Sequence, residues 1–440
     1  MDMTKNKINF LWILNALFLA VVSYALKSPG PEYFGGIYYI LYNFGFLALC
    51  LVLLKKHSTN FELSPVAFFI GVVMVMCSHS PIFENDHYRY IWEGKVMASG
   101  LSPYLLSPDH AALSHIEYAA KNRIGFSNLT TIYPPLGILW FSLVAKLPFE
   151  FAFRGLMLLN ALLIALVFRF FTKRNTPALY LCVFFPLLQK EYIQAVHIDL
   201  FAAVFLLPLF ALKEKDGKRT LLTYGLYFMS FWSKLIGVVT LPIFFITNKT
   251  TPINKVRSIL ASAFIPLSLG LFFWFHITDL NLLSGVLSFS KDWVWIPGFY
   301  SLLVNLLELE IPLARQITFA AFLMVVTLVH LKVMTRPLQK GAFFEAGVIL
   351  HSSMIFFSPV FNPWYTIWFL LFSLYTKNKW AMAYAFFSCL SYTPYGYYQY
   401  NRLAEVLVHM WYFPILFNYF EVYFKKFYAL LLPKRFFPAR

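Results

Sequence analysis

Charge is what this chain has least of. Only 13% of its 440 residues are charged, against about 25% in a typical soluble domain. Surfaces of a soluble chain this long would need more charge than that to coat them. Cysteine is also sparse. The four present (Cys50, Cys77, Cys182, Cys389) are scattered through apolar runs, without the spacing of metal ligands or of a disulfide framework. No small-residue cleavage site follows Met1–Lys7, so the first apolar run reads as a retained helix. No internal repeat is visible, which gives little support to an inverted-repeat transporter. What is abundant is apolar surface: 60% hydrophobic residues, 20% aromatic, 50 of them Phe. A soluble enzyme, a disordered chain, a coiled coil and a disulfide scaffold are all excluded. The composition predicts an all-α, polytopic transmembrane bundle, because backbone in lipid must satisfy its own hydrogen bonds within helices.

Apolar runs predict 12 to 14 crossings in a single membrane domain over 1–440. Their spans are 10–26, 36–54, 65–82, 151–171, 178–193, 197–212, 220–232, 235–248, 257–277, 312–331, 342–358, 364–376, 379–395 and 404–424. The short pairs within 178–212 and 220–248 also read as buried helices with polar tips. With both termini in the cytoplasm, about two-thirds of the basic residues fall in inside loops. These include Lys55/Lys56, Lys173/Arg174, Lys213 to Arg219, Lys377/Lys379 and the tail from Lys425. Most carboxylates fall on the other face. Orientation therefore accounts for much of the net charge of +16, and no nucleic-acid partner is needed. Two outer segments, 83–150 and 278–311, are too long for connectors. Pro134–Leu147 is too short to cross and reads as an outer juxtamembrane helix.

The densest polar cluster opens the first outer loop: Glu84-Asn85-Asp86-His87-Tyr88-Arg89-Tyr90-Ile91-Trp92-Glu93-Gly94-Lys95. A carboxylate beside a low-dielectric region can act as a general base. The Glu84/Asp86 pair could also hold a divalent cation, Mg or Mn. Equally, these groups could cap the next helix or pair with Arg89 and Lys95. Gly100-Leu101-Ser102-Pro103-Tyr104 marks a rigid turn. Thr131-Ile132-Tyr133-Pro134-Pro135 starts a helix whose N-terminus suits a phosphate. Lys190-Glu191 and His197-Ile198-Asp199 place ionisable groups at membrane depth, where a functional role is the default reading. Lys190 and His197 are expected to hold a phosphate, with Asp199 orienting His197. Lys234, inside an apolar hairpin, either snorkels or meets an anion. Trp364 and Tyr365 suit a sugar, or a membrane interface.

In their order along the chain, these motifs, with Ser358-Pro359-Val360-Phe361-Asn362-Pro363-Trp364-Tyr365, resemble the GT-C class of membrane glycosyltransferases. The similarity is to bacterial polyprenyl-phosphate-mannose-dependent mannosyltransferases. The acidic motif and the Gly-x-Ser-Pro-Tyr turn also resemble the catalytic subunit of GPI mannosyltransferase I. Glu84 departs from the commoner Asp at the first acidic position. The resemblance implies a polyprenyl-phosphate sugar donor, with mannose as the sugar, a glycan or lipid acceptor, and an inverting displacement at the outer face of a bacterial inner membrane. It points to Asp86 as base with Glu84 assisting or holding a metal. Arg89, Lys190, His197 or Lys234 would stabilise the leaving phosphate, with Tyr88, Tyr133, Asp199, Trp364 and Tyr365 around the substrate. A flippase or transporter for a lipid-linked sugar or another solute is the alternative reading.

Overall fold

The computed structural model describes residues 3–26, 32–54, 60–214, 220–246, 284–335, 341–395 and 401–431. Among them there is no strand, and the chain is mostly helical. Four helices are long and apolar enough to cross a membrane: Met3–Ala25, Gly35–Leu53, Phe149–Thr172 and Ile311–Met334. The bent pair Ala178–Gln194 and Asp199–Ala211 makes a fifth if counted as one span. The expected run 257–277 lies outside the described residues.

Helix α1 (Met3–Ala25) buries Ile8, Leu11, Trp12, Asn15, Ala16 and Leu19. That spacing of three and four puts them on one face. Its opposite face carries exposed Phe10, Leu17 and Val21, as lipid contact requires. After α2 (Glu32–Leu53), α3 (Pro65–Met76) runs along α1. Ser64 caps α3 by accepting from the Ala67 N–H, and Pro65 fills the first turn. Gly71 lets α3 approach α1, since a Cβ there would lie 2.2 Å from the Trp12 indole nitrogen.

The run expected to be helical over 65–82 stops at Met76. The reason is tertiary. Gln194 takes the Ile82 N–H at 3.2 Å and donates to the Ser78 hydroxyl at 2.9 Å. These bonds hold Ser78–Ile82 out of the helix and lead it into the acidic motif. That motif starts α4 (Asp86–Ala98), which lies across α5 (Pro135–Ser142) and touches α6 (Phe149–Thr172).

The next pair of expected crossings is one broken element. From α7 (Ala178–Cys182) the chain reaches a π-helical segment, Leu188–Gln194, then bends by 113° into α8 (Asp199–Val204) and α9 (Leu206–Glu214). Val196, at the bend, has φ +55, a costly conformation for a β-branched residue. Apolar packing gains little in lipid, so buried polar pairs help fix such a joint. Here Gln189 accepts from Asn15 at 2.7 Å and donates to the Trp12 carbonyl.

Helix α10 (Thr220–Ser233) is followed by a 3-10 turn, Leu235–Thr240, and short α11 (Leu241–Ile246). The segment expected to be a long loop, 278–311, carries α12 (Ser284–Asp292). Then come α13 (Ile311–Thr335), α14 (Ala342–Phe357), α15 (Ile367–Thr376), α16 (Lys379–Phe387), α17 (Asn401–His409) and α18 (Tyr412–Leu431). The run expected as one span, 404–424, is thus divided ahead of Pro414, whose ring cannot continue a preceding helix.

Candidate active site

A cavity of about 580 Å³ opens between the acidic motif, the loop before α5, α12 and the turn before α15. Of the expected site residues, Glu84, Asp86, Arg89, Tyr133, Lys234, Trp364 and Tyr365 line it. Lys190, His197 and Asp199 lie behind the wall, fully buried or nearly so. Tyr88 does not line it. Its ring packs on Phe149 and its hydroxyl accepts from Arg123 at 3.0 Å.

Asp86 is in the first turn of α4, where the positive end of the helix favours a carboxylate. Its side chain is 37% exposed. The Tyr90 hydroxyl, one turn on, reaches it at 3.2 Å and lies 3.1 Å from His197 Nδ1. Tyr90 is fixed by stacking on Phe141, 4.6 Å between ring centres. Gly94 allows this, because a Cβ there would sit 2.6 Å from the Phe141 carbonyl oxygen. Desolvation raises the Asp86 carboxyl above the ordinary Asp range, opposed by the Tyr90 hydrogen bond and the charges of Arg89 and Lys234.

Glu84 belongs to a second knot of groups. Lys190 Nζ is 3.4 Å from Glu84 and 3.2 Å from Glu191, and it also meets the Tyr392 hydroxyl. The Tyr392 oxygen lies 2.6 Å from Glu191 and 3.1 Å from Glu84, and its single proton is shared between the two carboxylates. Burial is the main force raising the Glu84 carboxyl; Lys190 and Tyr392 oppose it, while Glu191 and Asp86 add to it. A buried lysine shared between two carboxylates satisfies them electrostatically. So Lys190 spends its charge inside the wall rather than on a phosphate.

The structure redraws several other roles. Arg89, expected to stabilise a phosphate, gives its Nε to Glu93 at 2.7 Å. Its two terminal nitrogens bond the carbonyls of Gly125, Phe126, Leu129 and Thr130. All five of its N–H groups are thus engaged, and Arg89 fastens the loop over the cavity. Burial raises the Glu93 carboxyl, while Arg89 and the Thr131 hydroxyl pull it back. Asp199 does not orient His197. It binds Lys234 at 2.6 Å and the Trp368 indole at 2.9 Å. His197 is held instead by Tyr90 and by Trp364, stacked 3.7 Å away. The start of α5 has little to offer a phosphate. Pro135 lacks an N–H, and Gly137 and Ile138 give theirs to the Pro134 carbonyl.

Among the described residues, the groups whose ligand atoms converge for a cation are Glu84, Glu191 and His197, within 4.8 Å; Asp86 is not one of them. The buried His197 Nε2 has no hydrogen-bond partner among the described residues and lies 3.6 Å from Glu191. Lys190 already supplies the cationic charge there, so the donor set does not fit an added divalent ion well.

Three participants were missed or undervalued in the sequence. The sequence places Glu191 in an ionisable cluster at membrane depth without giving it a partner, and assigns no role to Tyr90 or Tyr392. Trp293 lines the cavity too, and its buried indole N–H has no hydrogen-bond partner among the described residues.

What the geometry offers is a partly exposed carboxylate with a raised pKa, a lysine 17% exposed across the same cavity, and aromatic walls. A family model of the alpha-(1->6)-mannopyranosyltransferase N-terminal domain (MptA_B family) matches residues 36–248. The matched stretch holds Glu84, Asp86, Lys190, Glu191, His197, Asp199 and Lys234, and it supports a glycosyltransferase, namely a mannosyltransferase. No curated protein and no solved structure matches the chain.

Proposed function

We propose that the chain transfers mannose from a polyprenyl-phosphate donor to a hydroxyl of a lipid- or glycan-linked acceptor, at the outer face of the membrane and with inversion, as a GT-C enzyme. The observation that carries this reading is the placement of Asp86 and Lys234 in the wall of one cavity. Asp86 takes the acceptor hydroxyl proton. The acceptor oxygen forms its bond to the anomeric carbon from one side. The bond to the donor phosphate breaks on the other, and polyprenyl phosphate leaves with the electron pair. Lys234 opposes the charge that develops on that phosphate. Asp199 keeps the ammonium in place, and the Tyr365 ring beneath it at 4.8 Å adds a cation–π contact. Trp293, Trp364 and Tyr365 supply faces for sugar and prenyl carbons. No step is assigned to a metal.

The test uses purified protein and a panel of polyprenyl-phosphate sugars, scored by release of polyprenyl phosphate. Release is expected from the mannose donor. Asp86→Asn should lower it by about 10²–10⁴-fold with an unchanged thermal unfolding profile. Wild-type rates in that variant would remove Asp86 as the base. A flippase would need one polar path between the two faces. Against that, the cavity at Asp86 and the one lined by Lys332 and Glu345 share no lining residue.

A further inference from the structure

A second cavity, of about 460 Å³, lies at the far end of α14 from Trp364. From Ile349, which lines it, α14 rises about 12 Å to its end at Phe357. Three lysines line it: Lys332 of α13, and Lys377 and Lys379 at the turn from α15 to α16. Two carboxylates line it as well, Glu345 of α14 and Glu421 of α18. Lys332 is anchored by donating to the Tyr419 carbonyl, and its ammonium sits 3.4 Å over the Tyr419 ring.

This polar cavity is set into an apolar surface. On α13, Met324, Leu328 and Leu331 are exposed, and on α18 so are Phe413 and Phe417. A soluble phosphate has no use for such stripes, whereas a lipid does. Basic pockets between helices at a membrane surface bind lipid headgroups. The two glutamates refine the choice, because they oppose a purely anionic headgroup and suit one that also carries an ammonium. A primary ammonium can donate hydrogen bonds to carboxylates, while a quaternary one cannot.

We propose that this cavity binds a phospholipid whose headgroup holds both a phosphate and a primary ammonium, of the phosphatidylethanolamine kind. The phosphate lies against Lys377 and Lys379, the ammonium faces Glu345 and Glu421, and the acyl chains follow the apolar stripes of α13 and α18. This site is separate from the transfer chemistry and does not rest on it.

Native mass spectrometry of the full chain in detergent provides the test, with phosphatidylethanolamine, phosphatidylcholine and phosphatidylglycerol added at equal concentration. Retention of the ethanolamine lipid is expected to be about tenfold tighter than of the other two. Inorganic phosphate at millimolar concentration should not displace it. The diagnostic variant is Lys377→Gly with Lys379→Gln. Lys377 has φ +56, a left-handed conformation that glycine adopts without strain, so the turn should survive loss of the ammonium. The double variant should retain the ethanolamine lipid about tenfold more weakly while keeping its unfolding temperature and its sugar-transfer rate. Lys379→Gln alone, at an exposed position, serves if the double variant does not fold. Equal retention of all three lipids, displacement by inorganic phosphate, or unchanged binding in a folded variant would each overturn the proposal.

Discussion

Asp86 and Lys234 face the same cavity, yet each is bonded to a partner that does not line it. For Asp86 that partner is Tyr90. The base must be ionised, and burial raises its pKa, so activity should be full at high pH and lost as pH falls through the raised value. The acidic limb of the rate profile should therefore lie above the ordinary Asp value of about 3.9. Tyr90→Phe removes a hydrogen bond that stabilises the ionised form, so the limb should move further up. Initial rates of polyprenyl phosphate release between pH 4 and 8, in wild type and variant, measure both effects; a limb that stays put would detach Tyr90 from the base. Lys190 governs the other knot. Lys190→Met leaves Glu84 and Glu191 without their shared cation. Breaking a buried pair this way costs about 3–5 kcal/mol, readable as a fall in the midpoint of thermal or denaturant unfolding.

At the scale of elements, the site depends on two joints. One is the crossing of α4 over α5, where Gly94 meets the Phe141 carbonyl. Gly94→Ala forces the two helices apart and should cost about 1–3 kcal/mol, again measured by unfolding. Because Tyr90 stacks on that same Phe141, transfer activity should fall more than stability alone explains; full activity in the folded variant would mean that the crossing does not set the base. The other joint is the 113° bend after the π-helical segment. It turns Lys190, Glu191 and His197 inward while Gln194 pins Ser78 and Ile82. Without the bend, a straight apolar helix would carry these ionisable groups into lipid, where they are expensive.

For the molecule as a whole, the distribution of charge predicts which end faces which side. The Lys377–Lys379 turn should lie in the cytoplasm and the Asp109 loop outside. In a Cys77→Ser background, Asp109→Cys should react in intact cells with a membrane-impermeant thiol reagent, and Lys379→Cys only after permeabilisation. The reverse pattern would invert the orientation proposed for the cavity.

The sequence by itself determined the helical membrane class, because apolar composition and period are local properties that survive without tertiary contacts. It also singled out Glu84, Asp86, Lys190, His197, Asp199 and Lys234, since ionisable groups in apolar runs stand out whatever the fold. It could not say how they pair. Tyr90 joins His197 across 107 residues, and Tyr392 joins Glu84 across 308. Only the packed structure showed that Asp199 serves Lys234 and not His197, that Arg89 is consumed by the loop it fastens, and that Glu191 completes the Lys190 knot. The physical reason is the chain's shortage of charge, 13% of its residues. With few ionic partners available in a low-dielectric interior, each buried charge is matched by whichever opposite group the helix crossings bring within reach, and those crossings are set by contacts far apart in the chain.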